Sequence, residues 1–338
     1  MSGPLRAGIV GMGTVSAVHR QALARLENVA LTACCDIVPE RIPAGVAAYT
    51  DFVKMAEEAP LDAVHICLPH ALHEPAAEAF ARRGIAVLCE KPVSVTAASC
   101  ARMSRLEEHY GVVVAVCLQN RWNATFQALA RCLGEESNGR LLGLKAIATW
   151  ARDEAYYAAA PWRGRMALAG GGCMLNQAVH TLDLMLQLGG GVTRVKGMIA
   201  NLSDYPIEVE DSAAAHITFA GGAKGLFFGS VCNADNASIE LQAVCEKAVY
   251  TIKDYTLWRH APGRETEKVP LARDSQAPDG KSYYGPGHFQ LIEDFYRRLS
   301  GGEGRYVTVE DGSRVIRLIQ AIRTSSELGR SVTWEEIV

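Results

Sequence analysis

A chain of 338 residues that is 49% hydrophobic is long enough to bury a substantial core and to form two domains. Its 34 basic and 37 acidic residues leave a net charge of −3 with no long run of one sign, which argues against nucleic acid or an anionic membrane as a partner and leaves a small molecule. It contains no stretch of 18 uninterrupted apolar residues and no signal-peptide pattern, so a cytoplasmic location is expected.

The first third alternates short apolar runs with amphipathic segments. Strands are predicted at Leu5–Val10, Ala30–Cys35, Ala63–Leu68, Ile85–Cys89 and Val112–Cys117, with helices near Val15–Leu26, Pro75–Arg83 and Ala97–Tyr110. Near-continuous apolar strands separated by helices imply a doubly wound parallel sheet, covered on both faces and joined by right-handed crossovers. Between the first strand and its helix lies Gly11-Met12-Gly13-Thr14-Val15-Ser16. Glycines there let the backbone turn tightly and approach a pyrophosphate on the helix N-terminus, so Gly11, Gly13, Thr14 and Val15 are candidate cofactor contacts. Ser16 stands where glycine or alanine usually closes this fingerprint. The second strand ends in Asp36, at about the twenty-residue spacing expected of an acid that binds a ribose diol. A carboxylate repels a 2′-phosphate, which favours NAD over NADP, although Arg41 is close in sequence.

Ten cysteines invite a metal or disulfide reading. Cys34, Cys35, Cys67, Cys89 and Cys117 fall in or beside apolar strands, where cysteine behaves as a small hydrophobe. Cys67, His70 and His73 have three-residue spacing, but no second cluster completes a zinc site, and no metal is expected.

Leu88-Cys89-Glu90-Lys91-Pro92 ends the fourth strand. Ligands bind at the carboxyl ends of strands in an open parallel sheet, and Pro92 cannot continue a ladder, so Lys91 is expected to project from the sheet edge toward a site. With Cys67-Leu68-Pro69-His70 and His73 upstream, this stretch resembles the glucose-fructose oxidoreductase, inositol dehydrogenase and MocA (GFO/IDH/MocA) family. The resemblance implies that Lys91 lies between nicotinamide and substrate, that Leu68 and Pro69 pack near the nicotinamide, and that His73 and Glu90 stand at the cofactor. His73 could equally cap the helix that follows it.

Beyond Cys117 the character of the chain changes, and a domain boundary is expected at 120/121, giving an NAD-binding domain over 1–120 and an α+β substrate-binding and oligomerisation domain over 121–338. Alternating segments at Leu142–Trp150, Val192–Ile199, Ser212–Phe219, Gly225–Val231 and Ile239–Val244 predict a large, mostly antiparallel open sheet with one face free for a partner. Such a face favours a homodimer or homotetramer. Arg259–Asp279 reads as a long polar loop.

Gly170-Gly171-Gly172 precedes a predicted helix on which Asn176, His180 and Asp183 share one face. The family resemblance implies that His180 points at the hydroxyl being oxidised and that Asp183 orients it or binds substrate. It also matches Trp162 and Arg163 to a segment near the nicotinamide. Asn176 stands where the family commonly has aspartate. Arg121, Arg152 and Tyr156 are candidate contacts to a polyol, each equally open to a structural role. The likeness is strongest over 5–36, 62–92, 170–183 and 285–330. Together these features imply NAD-dependent hydride transfer at a secondary hydroxyl of a sugar, sugar derivative or cyclitol, with Lys91, His180 and Asn176 as the catalytic set. An NAD-dependent glycosidase of the same family and a non-catalytic NAD-binding sensor or scaffold are the alternatives.

Overall fold

The computed structural model describes residues 3–275 and 287–337. They form two compact units, the first reaching Gln119 and taking in His288–Ser313, the second made of the residues from Asn120 and those from Arg314 onward. The chain therefore returns to the first unit after residue 287, where the sequence reading has a single division at 120/121. The return is held by the helix Gly287–Leu299, whose His288 and Tyr296 are buried beside Glu90 and His65.

In the first unit β1 (Leu5–Val10), β2 (Val29–Cys35), β3 (Ala47–Tyr49), β4 (Ala63–Ile66), β5 (Ala86–Cys89) and β6 (Val114–Val116) lie in the order β3-β2-β1-β4-β5-β6. Every pairing is parallel. Every residue of β4 and β5 is buried, which is why both run apolar without alternation. The order reverses between β1 and β4, so the switch point of a dinucleotide-binding sheet lies at the carboxyl ends of these two strands. Two elements escape the sequence pattern. β3 is three residues long and mostly exposed, and the helix Phe52–Glu58 is announced chiefly by its cap, the Asp51 carboxylate accepting from the Val53 and Lys54 amides. The helix expected over 97–110 is two, Ala97–Met103 and Leu106–Tyr110, divided where Ser104 turns its hydroxyl back onto the Ala101 carbonyl.

The second unit carries β7 (Leu141–Thr149), β8 (Val192–Ala200), β9 (Ser212–Phe219), β10 (Lys224–Ser230), β11 (Glu240–Cys245), β12 (Val249–Lys253), β13 (Thr256–His260), β14 (Val269–Arg273) and β15 (Val332–Thr333). They make one nine-stranded sheet in the order β14-β13-β12-β11-β7-β10-β9-β8-β15, antiparallel except for the β7–β10 pair. Its inner face buries Ile217, Phe219, Phe227 and Leu241, each contributing about 1.5–3 kcal/mol of burial energy for a side chain of this size. The helix Val309–Leu328 lies against β8, Ser325 accepting from the Gly197 amide at 2.9 Å. On the opposite face Met198, Ala214 and Phe228 form one row across three strands, with Met198 62% and Phe228 42% exposed. The polar loop expected over 259–279 is instead partly strand. β14 pairs antiparallel with β13 as an exposed edge carrying Pro270, so it buries no face that an alternating pattern could reveal. The last residues of that expected loop, and Gly285 and Pro286 ahead of the following helix, lie outside the described residues.

Candidate functional site

The turn after β1 is built for close approach. Gly11 has φ of +89°, and a Cβ there would lie 2.5 Å from the Cys67 carbonyl oxygen, so no other residue fits without displacing the chain after β4. Gly13 and Thr14 are exposed, while Ser16 folds inward and donates to the Gly13 carbonyl at 2.7 Å, filling the closing position of the fingerprint with a hydrogen bond. Asp36, buried at the end of β2, accepts from the Met12 amide at 2.7 Å and from the Val38 amide at 2.9 Å. The acid thus fastens the glycine turn, and each of its oxygens keeps a second lone pair for a diol. Arg41 stands 3.8 Å from Asp36 and is largely exposed. A glycine turn that no side chain occupies, a following helix and an anchored carboxylate suit a dinucleotide. The unmodified protein is expected to bind NADH more tightly than NADPH, with Asp36→Ala narrowing the gap in paired titrations. Tighter NADPH binding by the unmodified protein would refute this.

The ends of β4 and β5 come next. Leu68 and Pro69 are half-buried, whereas His73 is fully buried with Nδ1 2.7 Å from the Pro92 carbonyl and Nε2 2.9 Å from the Leu68 carbonyl. Both nitrogens of His73 are engaged with backbone, so its ring ties the segment after β4 to the segment after β5. His70 is buried beside it, their rings 5.8 Å apart. Glu90 points into the core, against the expectation that it meets the cofactor, because His19 and His288 supply its partners at 2.9 and 3.4 Å. Against burial, which favours the neutral acid, these two histidines hold its carboxyl well below the usual carboxylate range. Lys91 is half-buried, and burial lowers its pKa while the Glu90 charge pulls the other way. His19 and His65 form part of the same buried chain, with Nδ1 atoms 2.7 Å apart. Neither was signalled by a motif. Their only mark is a histidine amid apolar neighbours, His65 within Ala63-Val64-His65-Ile66 and His19 on the first helix.

In the second unit Gly172 approaches the chain at Glu210 so closely that a Cβ would sit 1.7 Å from its carbonyl oxygen. That contact sets the start of the next segment, which is not one helix but two, Cys173–Asn176 and Val179–Gly189. Asn176 and His180 therefore flank the break between them. Asn176 and Gln177 both donate to the Tyr156 hydroxyl at 3.2 Å. Arg163 lies 4.2 Å above the Tyr156 ring and donates to the Tyr156 carbonyl, and Arg152 lies 5.0 Å above the same ring and bonds Asn236 at 2.7 Å. Trp162 is half-buried, 6.0 Å from the Arg163 guanidinium. Asp183 is buried in a two-pronged ion pair with Arg121, at 2.9 and 2.7 Å, so these two expected substrate contacts neutralise each other. His180 is half-buried and lines a cavity of about 60 Å³ with Asn120, Trp150, Gln177, Thr181 and Tyr255 among its walls. Amide, hydroxyl and aromatic walls of this kind suit a neutral polar ligand better than a charged one.

Comparison with known proteins agrees with this geometry. Residues 5–118 match a family profile described as an oxidoreductase family with an NAD-binding Rossmann fold, and residues 126–251 match the GFO/IDH/MocA C-terminal domain. The chain is 24% identical over 361 residues to myo-inositol 2-dehydrogenase of Thermotoga maritima, covering 99% of this chain and 100% of that one. It is 25% identical over 328 residues to the rhizopine catabolism protein MocA of Rhizobium meliloti, covering 94% and 93%. Among solved structures, the WlbA dehydrogenase of Bordetella pertussis, in complex with NADH and UDP-GlcNAcA, superposes with a TM-score of 0.84 at 27% identity over 98% of each chain. Two profile matches that together span most of its length, on a sheet with the matching switch point, establish that this chain belongs to the GFO/IDH/MocA family of NAD-binding oxidoreductases and is a dehydrogenase acting on CH–OH groups.

Proposed function

We propose that this dehydrogenase oxidises a secondary hydroxyl of a sugar, sugar derivative or cyclitol, with Lys91 and His180 as its proton-handling groups. The observation that carries the reading is Lys91 itself, a half-buried ammonium at the carboxyl end of a central strand of the NAD-binding sheet, its charge disfavoured by burial. The relatives named above include an inositol dehydrogenase and an enzyme crystallised with a nucleotide sugar, which supports the substrate class.

On this reading Gly11, Gly13, Thr14 and Val15 receive the pyrophosphate, Asp36 the ribose diol, and Leu68 and Pro69 the nicotinamide end. NAD supplies the hydride acceptor when bound. Lys91 and His180 hold or take the hydroxyl proton, and in the reductive direction the Lys91 ammonium polarises a carbonyl. Asn176 and Gln177, both donating to the Tyr156 hydroxyl, keep that phenol oriented as a polar contact for substrate. Arg121, Asp183, Arg152 and Arg163 act by holding Tyr156 and the His180 helix in place. The exposed row of Met198 and Phe228 on the outer sheet face supports a homodimer or homotetramer through that face.

A screen of inositols, aldoses, sugar acids and nucleotide sugars by thermal shift and NAD reduction tests the proposal. A true substrate at about a hundred times its dissociation constant stabilises by about 2.7 kcal/mol and reduces NAD. Sedimentation of the same samples is expected to give a mass above that of one chain. Release of a free sugar from a glycoside without net NADH formation would point instead to the glycosidase alternative.

A further inference from the structure

Behind Lys91 the first unit encloses a chain of ionisable groups that the reaction above leaves unused. The Tyr296 hydroxyl lies 2.9 Å from His65 Nε2, the two Nδ1 atoms of His65 and His19 are 2.7 Å apart, and His19 Nε2 lies 2.9 Å from Glu90 Oε1. The other oxygen of Glu90 accepts from the Lys91 amide at 3.2 Å. All four side chains of this series are buried. A carboxylate only accepts, so His19 Nε2 must carry a proton. The single proton between the two Nδ1 atoms then belongs to one ring or the other.

We infer that His19 and Glu90 form a buried, net-neutral ion pair that sets the charge standing behind Lys91, with His19 a positioning residue that governs when Lys91 releases its proton. The inference rests on the proposed role of Lys91 in handling the substrate proton. The neighbouring groups agree with it. Burial opposes a cation on His19, and what favours one between neutral thiols is the Glu90 carboxylate 2.9 Å from its Nε2. Burial, then the His19 charge, push His65 well below its own. His288 and His73, the remaining imidazoles facing Glu90 and Lys91, are lowered chiefly by burial. Burial pushes the Cys117 thiol up to about 12 and the Cys89 thiol well above its ordinary value, so both stay protonated at neutral pH. Glu90 is thus the anion of the cluster and His19 its counter-ion. His19, Glu90 and Cys117 also stand close enough to hold a metal, but hydrogen bonds already account for the His19 and Glu90 atoms involved.

The test reads protons directly, in the protein without NAD. Imidazole nitrogen-15 shifts of the unmodified protein are expected to show both His19 nitrogens protonated through neutral pH. A ring nitrogen of His19 without a proton, whether the ring is neutral or metal-bound, overturns the inference and requires no variant to fold. Lysine labelled at Cε and Nζ, with Lys91→Arg to assign the signal, then gives the Lys91 titration. In His19→Gln the lone Glu90 charge raises its midpoint by about one pH unit, and in Glu90→Gln loss of the nearest anion lowers it. Midpoints that stay put, or move the same way in both, overturn the inference. The pH profile of kcat/KM separates it from the role of Lys91. If the Lys91 midpoint moves in His19→Gln while the kinetic limb does not, the charge pair stands and Lys91 is not the proton-handling group.

Discussion

Lys91→Met is expected to lower turnover about a hundredfold or more while NADH binding changes little, the range of general acid–base effects. Methionine keeps the unbranched stem and loses only the amine, so packing at the strand end survives. Hydride leaves a carbinol only as its hydroxyl proton departs, and a base serves that step best when it titrates near the working pH. Free lysine titrates far above that range, but burial lowers Lys91, because an ammonium loses hydration that the site does not fully replace. The sign follows. In the oxidative direction the rate rises with pH as Lys91 loses its proton, over a limb placed below that of free lysine, and Lys91→Met removes the limb. Near-normal turnover in Lys91→Met with the pH profile intact would exclude the lysine from the reaction.

His180→Ala is expected to cost a comparable factor, again with NADH binding retained. The imidazole lines a cavity walled by Asn120, Gln177 and Tyr255, where a substrate hydroxyl has polar partners. Its helical neighbour Asp183 is committed to Arg121 through two short hydrogen bonds, so the acid fixes the helix and not the imidazole charge. Asn176→Ala should cost less than either, since Gln177 still donates to the Tyr156 hydroxyl and an amide cannot take a proton. Steady-state kinetics and NADH fluorescence titration on the variants check these outcomes. An unchanged rate and profile in His180→Ala would leave Lys91 to act alone.

Much of this site is legible along the chain because its parts are local. Gly11, Gly13 and Asp36 sit at the spacing that one β-α-β unit imposes, and Lys91 is placed by a strand that must stop at Pro92. The strands of the second sheet that alternate, such as Ser212–Phe219, are readable because one face is buried and one is not. β14 is not readable, since an edge strand with Val269 and Leu271 both exposed carries no such contrast.

What the sequence by itself determined is the doubly wound first sheet, the partly exposed second sheet, the NAD-binding turn and the two proton-handling candidates, all consequences of short-range periodicity and spacing. Which charges meet was decided only in three dimensions. Glu90 turns inward to His19, 71 positions away, Arg121 neutralises Asp183 across 62, and His288 returns from the far end of the chain to join Glu90. Buried charges must find partners, and the partner is whichever group the packing delivers within hydrogen-bond reach, a choice that no local pattern encodes.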